Sequence, residues 1–454
     1  MAPAPLTIVV GAGISGLTCA YALKNLGEHI LLLESSPRPG GVIQSVLESG
    51  YLFELGPQSF SSTSELAALC DELKLTEELL QAPHTAPRYI LIGNRLKQVP
   101  MSPPSVITSN LLGARTKLSF LRDAFGRSTP PQEDESVGAF VRRKFSAEFL
   151  DRLVEPFVSG IYAGDPEQLS LRAAFPRLYQ AERSTGSVIR GALKSGVKIT
   201  KKPITRSQPR PGLISFKRGN EALIRALANA LGSALRCDAN VAEIVRTEGR
   251  FRLSVQNPNG FEPLICDRLI FATPTGTTAR LLQLIAPAAS AALEEISYAS
   301  VAVVSLGYSN DRLRKPLAGF GFLAPRSSGI RTLGSVWNSS LFPHRAPEGH
   351  VLLTNFVGGA TDPLGATLSE DELVTLVHRE IAPILNITAG PSIYRVTRYS
   401  NAIPQYNLGH LQRLGTIQDN IASIPGLQLI GNYWNGPSVG ACIDYALKKA
   451  SAKI

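Results

Sequence analysis

The stretch Leu6–Glu34, LTIVVGAGISGLTCAYALKNLGEHILLLE, decides the fold of this 454-residue chain. An apolar strand-like run leads into the glycines Gly11, Gly13 and Gly16, and a helical run leads to a second apolar run that ends at Glu34. Such glycines permit a tight turn, a close approach to a pyrophosphate and close helix–strand packing. The helix N-terminus offers N–H groups to phosphate oxygens, and Glu34 has the spacing expected for a ribose-binding acid. A dinucleotide-binding βαβ unit is therefore predicted, and a glycine turn without a ligand is the alternative.

The two segments after Glu34 indicate which dinucleotide is bound. Glu34-Ser-Ser-Pro-Arg38-Pro-Gly40-Gly41-Val42 is followed by Gly56-Pro57-Gln58-Ser59. Arg38 is placed to reach a pyrophosphate, and a solvated loop arginine is the alternative. The arrangement resembles the FAD-binding flavoprotein oxidases related to amine oxidase. FAD is expected to be held non-covalently, since no cysteine stands in a flavin-linking context.

Composition bounds the function. A chain of 454 residues is too long for one compact core, so two or three domains are expected. Lys and Arg exceed Asp and Glu by 46 to 36, which gives a net charge of +10. Basic blocks interleaved with aromatic residues do not occur, which argues against nucleic acid as a partner. Five scattered cysteines without a CxxC pair argue against a metal or iron–sulfur site.

Targeting and membrane-spanning segments are not expected. The residues before the first strand are too few for a signal peptide, and no apolar run is long enough to span a bilayer.

Several further elements can be predicted from the pattern. A hairpin is expected over residues 88–100 with Gly93-Asn94 at its turn. Helices are expected over residues 64–80 with Ser64 as the cap, through most of 105–183 including 140–157, and over 221–231 and 368–381. Residues 241–244, 251–255 and 268–271 read as strands of one small sheet, and the Lys/Arg/Pro-rich residues 194–210 read as a connector.

One of these helical stretches is both apolar and basic. Leu118, Leu121 and Phe125 alternate with Arg115, Lys117, Arg122 and Arg127. An amphipathic basic helix of this kind can lie on a membrane surface. An ordinary surface helix packed on a domain is the alternative.

The chain ends with a second strand–glycine–helix unit, from Leu427 through Gly436-Pro437-Ser438-Val439-Gly440 to a terminal helix. It is interpreted as a second phosphate or flavin cradle, and plain turn chemistry is the alternative.

Nearly the whole chain resembles the protoporphyrinogen oxidase family, flavoproteins of haem biosynthesis. Two segments carry the specific part of the resemblance, Ser159-Gly-Ile-Tyr-Ala-Gly-Asp-Pro-Glu-Gln-Leu-Ser170 and Leu341-Phe-Pro-His-Arg-Ala-Pro347. Further matching segments are Ala174–Glu182, Thr332–Val336, Asn355–Gly359, Ile403–Tyr406 and Gly409-His410.

The resemblance implies an α/β (α+β overall) fold with three parts. A Rossmann-like FAD domain would comprise residues 1–83, 212–276 and 418–454. An interleaved substrate domain would comprise residues 84–103, 185–211 and 277–417. A helical, membrane-associated domain would comprise residues 104–184.

The resemblance also implies a site. The implied substrate is a tetrapyrrole with carboxylate arms. Arg88 would pair with one of its propionates, and Leu323, Val336 and Phe356 would line a flat apolar slot for it. The Gly160 backbone would face the tetrapyrrole ring. No side chain is expected to act as an acid–base catalyst, and no metal is expected. The implied cofactor-binding residues are Gly11, Ala12, Gly13, Ile14, Ser15, Gly16, Glu34, Ser35, Arg38, Gly41, Val42, Gly56, Pro57, Gln58, Ser59, Val241, Asn432, Pro437, Ser438 and Val439.

The implied reaction is the oxidation of protoporphyrinogen IX to protoporphyrin IX by hydride transfer to FAD in three rounds, with oxygen reduced to hydrogen peroxide. Implied partners are a porphyrinogen, molecular oxygen, a peripheral membrane surface on the cytoplasmic side, a second copy of the chain in a homodimer, and ferrochelatase as receiver of the product.

The sequence departs from the family pattern at Pro437, where valine is usual, and at Tyr399, where tryptophan is common. Coproporphyrinogen III oxidase, an amine oxidase and a flavin-stabilised porphyrin carrier without turnover are the alternative functions.

Overall fold

The computed structural model describes residues 5–101, 103–194 and 212–452. Its strands are β1 Leu6–Val10, β2 His29–Leu33, β3 Ser45–Glu48, β4 Tyr51–Glu54, β5 Phe60–Ser61, β6 Leu79–Gln81, β7 Arg88–Ile92, β8 Arg95–Gln98, β9 Leu213–Phe216, β10 Leu235–Arg236, β11 Asn240–Thr247, β12 Arg250–Asn257, β13 Gly260–Cys266, β14 Arg268–Phe271, β15 Tyr298–Ser309, β16 Gly321–Leu323, β17 Thr332–Trp337, β18 His350–Gly358, β19 Ile393–Pro404 and β20 Leu427–Leu429.

The α-helices in the same residues are α1 Ile14–Asn25, α2 Ser64–Glu72, α3 Pro103–Thr108, α4 Ala114–Phe125, α5 Val137–Lys144, α6 Ala147–Phe149, α7 Glu155–Tyr162, α8 Leu171–Ala174, α9 Pro176–Thr185, α10 Val188–Lys194, α11 Glu221–Leu231, α12 Thr275–Leu282, α13 Pro287–Glu294, α14 Asn338–Leu341, α15 Glu370–Leu385, α16 His410–Ala422, α17 Asn432–Asn435 and α18 Val439–Ala450.

A parallel sheet of five strands contains the opening βαβ unit. Its order is β10-β2-β1-β14-β20, and every pairing is parallel. One face packs on α1, α11 and α18 through residues such as Leu17, Leu223 and Ile443. The other packs on β11–β13 and α12, α13 and α16. Burial on both faces explains why the strands read as nearly unbroken apolar runs. The predicted Rossmann-like α/β sheet is confirmed.

Strand β14 corrects one prediction. The pattern assigns Arg268–Phe271 to the small sheet, but β14 pairs with β1 and β20 in the parallel sheet. The small antiparallel sheet instead consists of β11, β12 and β13. Alternation along a strand shows which residues are buried, but it does not identify the neighbouring strand.

A second large sheet has seven strands in the order β19-β15-β18-β17-β16-β7-β8. One face buries a core against α15, with Leu373, Val377 and Ile381 completely buried. The predicted hairpin is confirmed as β7 and β8, with Ile92 opposite Arg95. Gly93 and Asn94 have φ values of +50° and +58°, as a two-residue hairpin turn of type I′ requires.

Helices α3–α10 form a mostly helical layer, as predicted for residues 105–183. Val137, Phe140 and Val158 are among its buried core residues. The layer extends past the predicted boundary at residue 184, because the Ile189 N–H on α10 donates to Asp123 on α4 at 3.0 Å. Most of the predicted connector at 194–210, including Lys201-Lys202-Pro203, lies outside the described residues.

Two predicted helices differ in extent from the observed ones. Residues 64–80 contain a helix only to Glu72, because Lys74 takes a positive φ of 58° and a short turn then leads into β6. Its cap is Thr63, whose hydroxyl accepts from the Leu66 N–H at 3.1 Å, and not Ser64. Residues 140–157 are interrupted at Phe145, where φ is −128° and ψ is −104°.

No helix in the described residues combines the length and apolar character needed to cross a bilayer. No three His, Cys, Asp or Glu side chains within residues 5–101, 103–194 and 212–452 are grouped so as to hold a metal ion.

Candidate functional site

The turn after β1 is an open backbone cradle. Gly11 has a φ of +100°, and its N–H donates to Leu33 O at 2.7 Å. A Cβ at Gly16 would lie 1.8 Å from Gly11 O, so the helix can approach this turn only with glycine there. A Cβ at Gly13 would meet nothing within 4 Å, so this position faces open space.

Helix α1 begins at this open space without a capping side chain. Gly13 is its N-cap, and its first turn has neither a side-chain capping hydrogen bond nor an acidic residue. The N–H groups of that turn and the positive end of the helix dipole therefore remain available to an anion. Ala12, Ile14 and Ser15 belong to the same turn and first helical residues. An uncapped helix end beside a glycine with open space fits the diphosphate of a dinucleotide.

Glu34 lies at the end of β2 beside the cradle. One carboxylate oxygen accepts from the Ala12 N–H at 2.8 Å, and the other accepts from the Ser36 N–H at 2.9 Å. The side chain is half-buried, while Ser35 next to it is exposed. The Ser35 hydroxyl also donates to Oε1 at 3.4 Å. These bonds fix the carboxylate at the edge of the cradle, and Oε2, which accepts one hydrogen bond from the described residues, keeps a lone pair for a ribose hydroxyl.

The loop after Glu34 forms a second wall. The Gly40 N–H donates to Ala12 O at 2.7 Å, and a Cβ at Gly41 would lie 3.6 Å from the Gly13 Cα. Arg38 donates to Gly41 O at 2.8 Å and to Pro39 O at 3.2 Å. Arg38 thus braces this loop in the structure. Val42 is 41% exposed although it is aliphatic.

The segment Gly56–Ser59 runs directly behind this loop. A Cβ at Gly56 would lie 2.1 Å from Val42 O. The buried amide of Gln58 donates to Gly56 O at 2.8 Å, and Pro57 O accepts from the Asn220 amide at 2.7 Å. The backbone of this segment is therefore fixed on both sides.

Val241, another predicted cofactor contact, is buried in the core between the parallel sheet and β11–β13. A cofactor could contact only its backbone. The Ala239 N–H two residues earlier donates to the Glu34 backbone carbonyl at 2.8 Å, which places this segment beside Glu34.

The carboxy-terminal turn is held by the side chain of Tyr406, which lies two residues after β19. The Tyr406 hydroxyl donates to Asn432 O and accepts from the Gly436 N–H at 2.7 Å. Ser438 caps α18 by accepting from the Ala441 N–H at 3.2 Å. Pro437 is half-buried and offers no N–H, and Val439 is buried. This helix start is therefore closed by its own side chain, unlike that of α1.

His410 supports the same turn. Its ring stacks on Tyr406 with a centroid distance of 4.2 Å, and its Nε2 lies 2.9 Å from Tyr433 O. Burial lowers the pKa of His410 to about 4. The neutral ring therefore packs against the tyrosine without adding charge.

The five predicted substrate residues lie together on one side of the seven-stranded sheet. Gly321 pairs with both Arg88 and Val336, and Gly334 pairs with both Leu323 and Phe356. Paired residues project to the same face, so the four side chains share the face opposite α15. Gly160 of α7 covers this face, since a Cβ there would lie 2.6 Å from Leu323.

The burial of these residues differs from that of a packed core. Leu323, Val336 and Phe356 are half-buried, whereas residues on the opposite face such as Leu353 and Val357 are completely buried. Arg88 is exposed, and its guanidinium carbon lies 5.3 Å from the Phe320 ring centre. No acidic side chain in the described residues forms an ion pair with Arg88. The face is a half-open apolar surface with one unpaired cation at its edge.

A buried hydrogen bond joins the sheet to the cradle. The Asn338 amide at the end of β17 donates to Gln58 Oε1 at 2.7 Å. Sequence reasoning did not identify Asn338 or Asn220, because neither lies in a motif with its own spacing.

A buried ion pair lies behind the same segment. Arg345 and Glu54 are 1% exposed, with 3.7 Å between guanidinium and carboxylate. Glu54 also accepts from the Ser45 hydroxyl at 2.6 Å and the Asn220 N–H at 2.9 Å. Burial raises the pKa of Glu54 to about 7 against the opposing effect of Arg345. The motif Leu341–Pro347 was singled out by resemblance, but the burial of its arginine was not predicted.

Comparison with known proteins gives a consistent result. A family model described as flavin containing amine oxidoreductase matches residues 14–452. The chloroplastic protoporphyrinogen oxidase of Nicotiana tabacum is 35% identical over 462 residues, covering 98% of this chain and 84% of the relative. The coproporphyrinogen III oxidase of Bacillus subtilis (strain 168) is 31% identical over 459 residues, covering 96% and 95%. The crystal structure of a putative protoporphyrinogen oxidase from Exiguobacterium sp. 255-15 superposes with a TM-score of 0.83 at 25% identity, covering 99% and 98%.

Proposed function

The chain belongs to the flavin containing amine oxidoreductase family, and on this premise we propose that it oxidises a porphyrinogen to the corresponding porphyrin in haem biosynthesis. It is an FAD-dependent oxidoreductase. The observation that carries the proposal is the half-open apolar sheet face with Arg88 at its edge, a cation that forms no ion pair with an acid in the described part of the chain. A flat macrocycle with carboxylate arms matches both features.

The cradle residues hold the cofactor in this proposal. The uncapped end of α1 receives the diphosphate, Glu34 receives a ribose diol, and the Gly41 loop closes the opposite side. Bound FAD supplies the acceptor for the hydride that the substrate loses. The site is non-covalent, so acid precipitation should release the yellow chromophore into the supernatant, and colour remaining in the pellet contradicts this.

The sheet face orients the substrate. Leu323, Val336 and Phe356 exclude water from one side of the macrocycle, and Gly160 lets α7 pack directly against Leu323 at this face. A carboxylate that loses water at this edge needs a partner, because an unpaired buried charge is costly. Arg88 provides a planar guanidinium that can bind it in bidentate fashion. The aromatic ring of Phe320 holds this guanidinium in place.

Protoporphyrinogen IX is the proposed substrate, with oxygen as the final electron acceptor. Coproporphyrinogen III is the second candidate, because a relative named for that reaction matches 96% of this chain. It carries four carboxylates, and a preference for it requires further cations at the rim of the face. The amine oxidase alternative has no comparable support from the sheet face.

Steady-state turnover of the two porphyrinogens, measured side by side as oxygen consumption and porphyrin fluorescence, tests the function. Arg88→Ala should raise KM about tenfold, equivalent to about 1.4 kcal/mol, while FAD content is unchanged. Arg88→Lys should recover only part of the loss, since a point charge replaces a fork.

Arg95→Ala is the matched control, because Arg95 is exposed at the far end of the same hairpin. If Arg88→Ala leaves KM and kcat within twofold of the parent, Arg88 is not the carboxylate anchor. If neither porphyrinogen is oxidised by the FAD-loaded protein, the proposed function is wrong.

Peripheral membrane binding through residues 104–184, on the cytoplasmic face of the membrane, is a further part of the proposal. Leu118, Leu121 and Phe125 are 64%, 55% and 84% exposed and form one row on α4. Arg115 and Arg122 flank this row and are exposed. The row can enter the interface while the cations face anionic lipid.

A further inference from the structure

The helical layer contains a basic cavity that the function above does not use. Its volume is about 530 Å³. Among the described residues, four cationic side chains line it, and no acidic side chain does. The lining residues are Arg127, Ser128, Thr129, Arg183, Ser184, Thr185, Gly186, Arg190 and Lys194.

The cations of this cavity are held by neutral groups. Arg190 donates to Ala124 O at 2.7 Å and to Thr185 O at 2.9 Å, so its guanidinium is fixed without losing its charge. Arg183 donates to the Tyr179 hydroxyl at 3.2 Å. Arg127, Arg183 and Lys194 are exposed. None of the four forms an ion pair with an acid in the described part of the chain.

Two acids lie beneath the cavity, but each already forms an ion pair with a cation that does not line it. Asp123 contacts Lys144 at 2.5 Å, and Glu182 contacts Arg143 at 2.8 Å. Both carboxylates are fully buried. The positive charge at the mouth of the cavity is therefore not neutralised from below.

The cavity adjoins the exposed apolar row of α4. Phe125, the last residue of that row, precedes Arg127 by two positions, and Arg190 also donates to Gly126 O at 2.6 Å. On the other side, Leu193 of α10 is 76% exposed next to Lys194. Cations that could bind phosphate thus lie beside two exposed apolar side chains, Phe125 and Leu193. A soluble anion would contact only the cations, whereas an anionic lipid would contact the cations with its headgroup and the apolar side chains with its acyl chains.

We propose that this cavity binds the phosphate headgroup of an anionic phospholipid while the apolar row of α4 enters the acyl region beside it. The inference rests on the proposed membrane association. It adds a specific headgroup site that accounts for the arrangement of Arg127, Arg183, Arg190 and Lys194.

Sedimentation of the FAD-loaded protein with vesicles tests the site. The vesicles contain phosphatidylcholine alone or phosphatidylcholine with phosphatidylglycerol. Arg127→Gln combined with Arg183→Gln should weaken binding to the anionic vesicles about 25-fold, since one basic residue near an anionic surface contributes about fivefold. Arg190 is left intact because it also holds the backbone of α4's end.

Arg314→Gln combined with Lys315→Gln is the matched control. It removes the same charge from exposed positions outside the helical layer, and its binding should change less than twofold. Flavin absorbance and turnover should be unchanged in both double variants, which shows that they fold.

Three outcomes overturn the proposal in different ways. If both double variants lose binding equally, only overall charge acts and the headgroup site is wrong, although membrane association stands. If the parent protein sediments with neither vesicle, membrane association itself is wrong while the oxidase function is untouched. If free inorganic phosphate binds the cavity, measured by equilibrium dialysis, but vesicles do not, the cavity serves a soluble phosphate.

Discussion

The two glycine-rich turns of the parallel sheet look alike in sequence but are constructed differently. Each leads from a strand of the sheet into a helix, α1 in one case and α18 in the other. The first turn leaves its helix N-terminus uncapped. At the second, Ser438 caps the helix and the Tyr406 hydroxyl bridges Asn432 O and the Gly436 N–H.

This difference shows that the shape of a glycine-rich turn can depend on its own strand–turn–helix unit or on residues elsewhere in the chain. The amino-terminal cradle depends on residues of its own βαβ unit, because its shape follows from glycine conformations and from Glu34 at the end of β2. The carboxy-terminal turn depends on Tyr406, which lies outside its own strand–turn–helix unit and precedes both α16 and β20 in the chain. Three substitutions test this contrast, in order of decreasing effect.

The largest effect is expected at Gly16. Gly16→Ala would place a Cβ 1.8 Å from Gly11 O, and backbone cannot yield as a flexible side chain does. The substitution should lower the free energy of unfolding by at least about 3 kcal/mol, the upper end for overpacking. Thermal unfolding of the flavin-free chain measures this.

Gly13→Ala is the matched control, because its Cβ meets no protein atom within 4 Å. Its backbone φ of −67° suits alanine. Unfolding should change by less than about 0.5 kcal/mol, while FAD affinity falls at least about tenfold because the methyl occupies the ligand side. If both variants unfold alike, or if Gly13→Ala binds FAD normally, this description of the cradle is wrong.

Local structure was largely predictable from the sequence. The opening βαβ unit and the Gly93-Asn94 hairpin depend on short-range backbone preferences, and both are confirmed. The helix α15 is likewise confirmed, beginning with a capping box between Ser369 and Glu372. Each of these signals lies within a few residues of the structure it specifies.

Long-range partners were not predictable. Strand β14 has the same sequence pattern as the antiparallel strands β11–β13 that precede it in the chain, because its pairing with β1 depends on burial by other parts of the chain. The pairing of Arg345 with Glu54 joins residues that share no motif, and a buried ion pair leaves no periodic trace in sequence. The predicted substrate residues share one sheet face because β7 pairs with β16, which lies more than two hundred residues later in the chain.

An intermediate effect is expected at Glu34, which bonds the Ala12 and Ser36 N–H groups. Glu34→Ala should weaken FAD binding by roughly 1–3 kcal/mol, the cost of leaving buried polar groups unpaired. Flavin titration of the apoprotein measures the change. Glu243→Ala removes an exposed acid from β11 and serves as control. Equal affinities for the two variants would show that Glu34 does not contact the ribose.

The smallest effect is expected at Tyr406, because it acts only indirectly, through the carboxy-terminal turn that the sequence predicts as a second cradle. Tyr406→Phe keeps the ring on His410 but removes the hydroxyl that bonds Asn432 O and the Gly436 N–H. The loss of these hydrogen bonds should lower the free energy of unfolding and weaken the free energy of FAD binding by about 1 kcal/mol in total.

Burial raises the pKa of Tyr406 far above its usual value, so the hydroxyl remains protonated and the effect should not vary between pH 6 and 9. Tyr394→Phe on β19 is the control, since Tyr394 is 43% exposed and its hydroxyl forms no hydrogen bond within the described residues. FAD dissociation followed by fluorescence at both pH values separates the two variants. If Tyr406→Phe releases FAD no faster than Tyr394→Phe, the carboxy-terminal turn keeps its shape without the Tyr406 hydroxyl. Neither turn then depends on a residue outside its own strand–turn–helix unit.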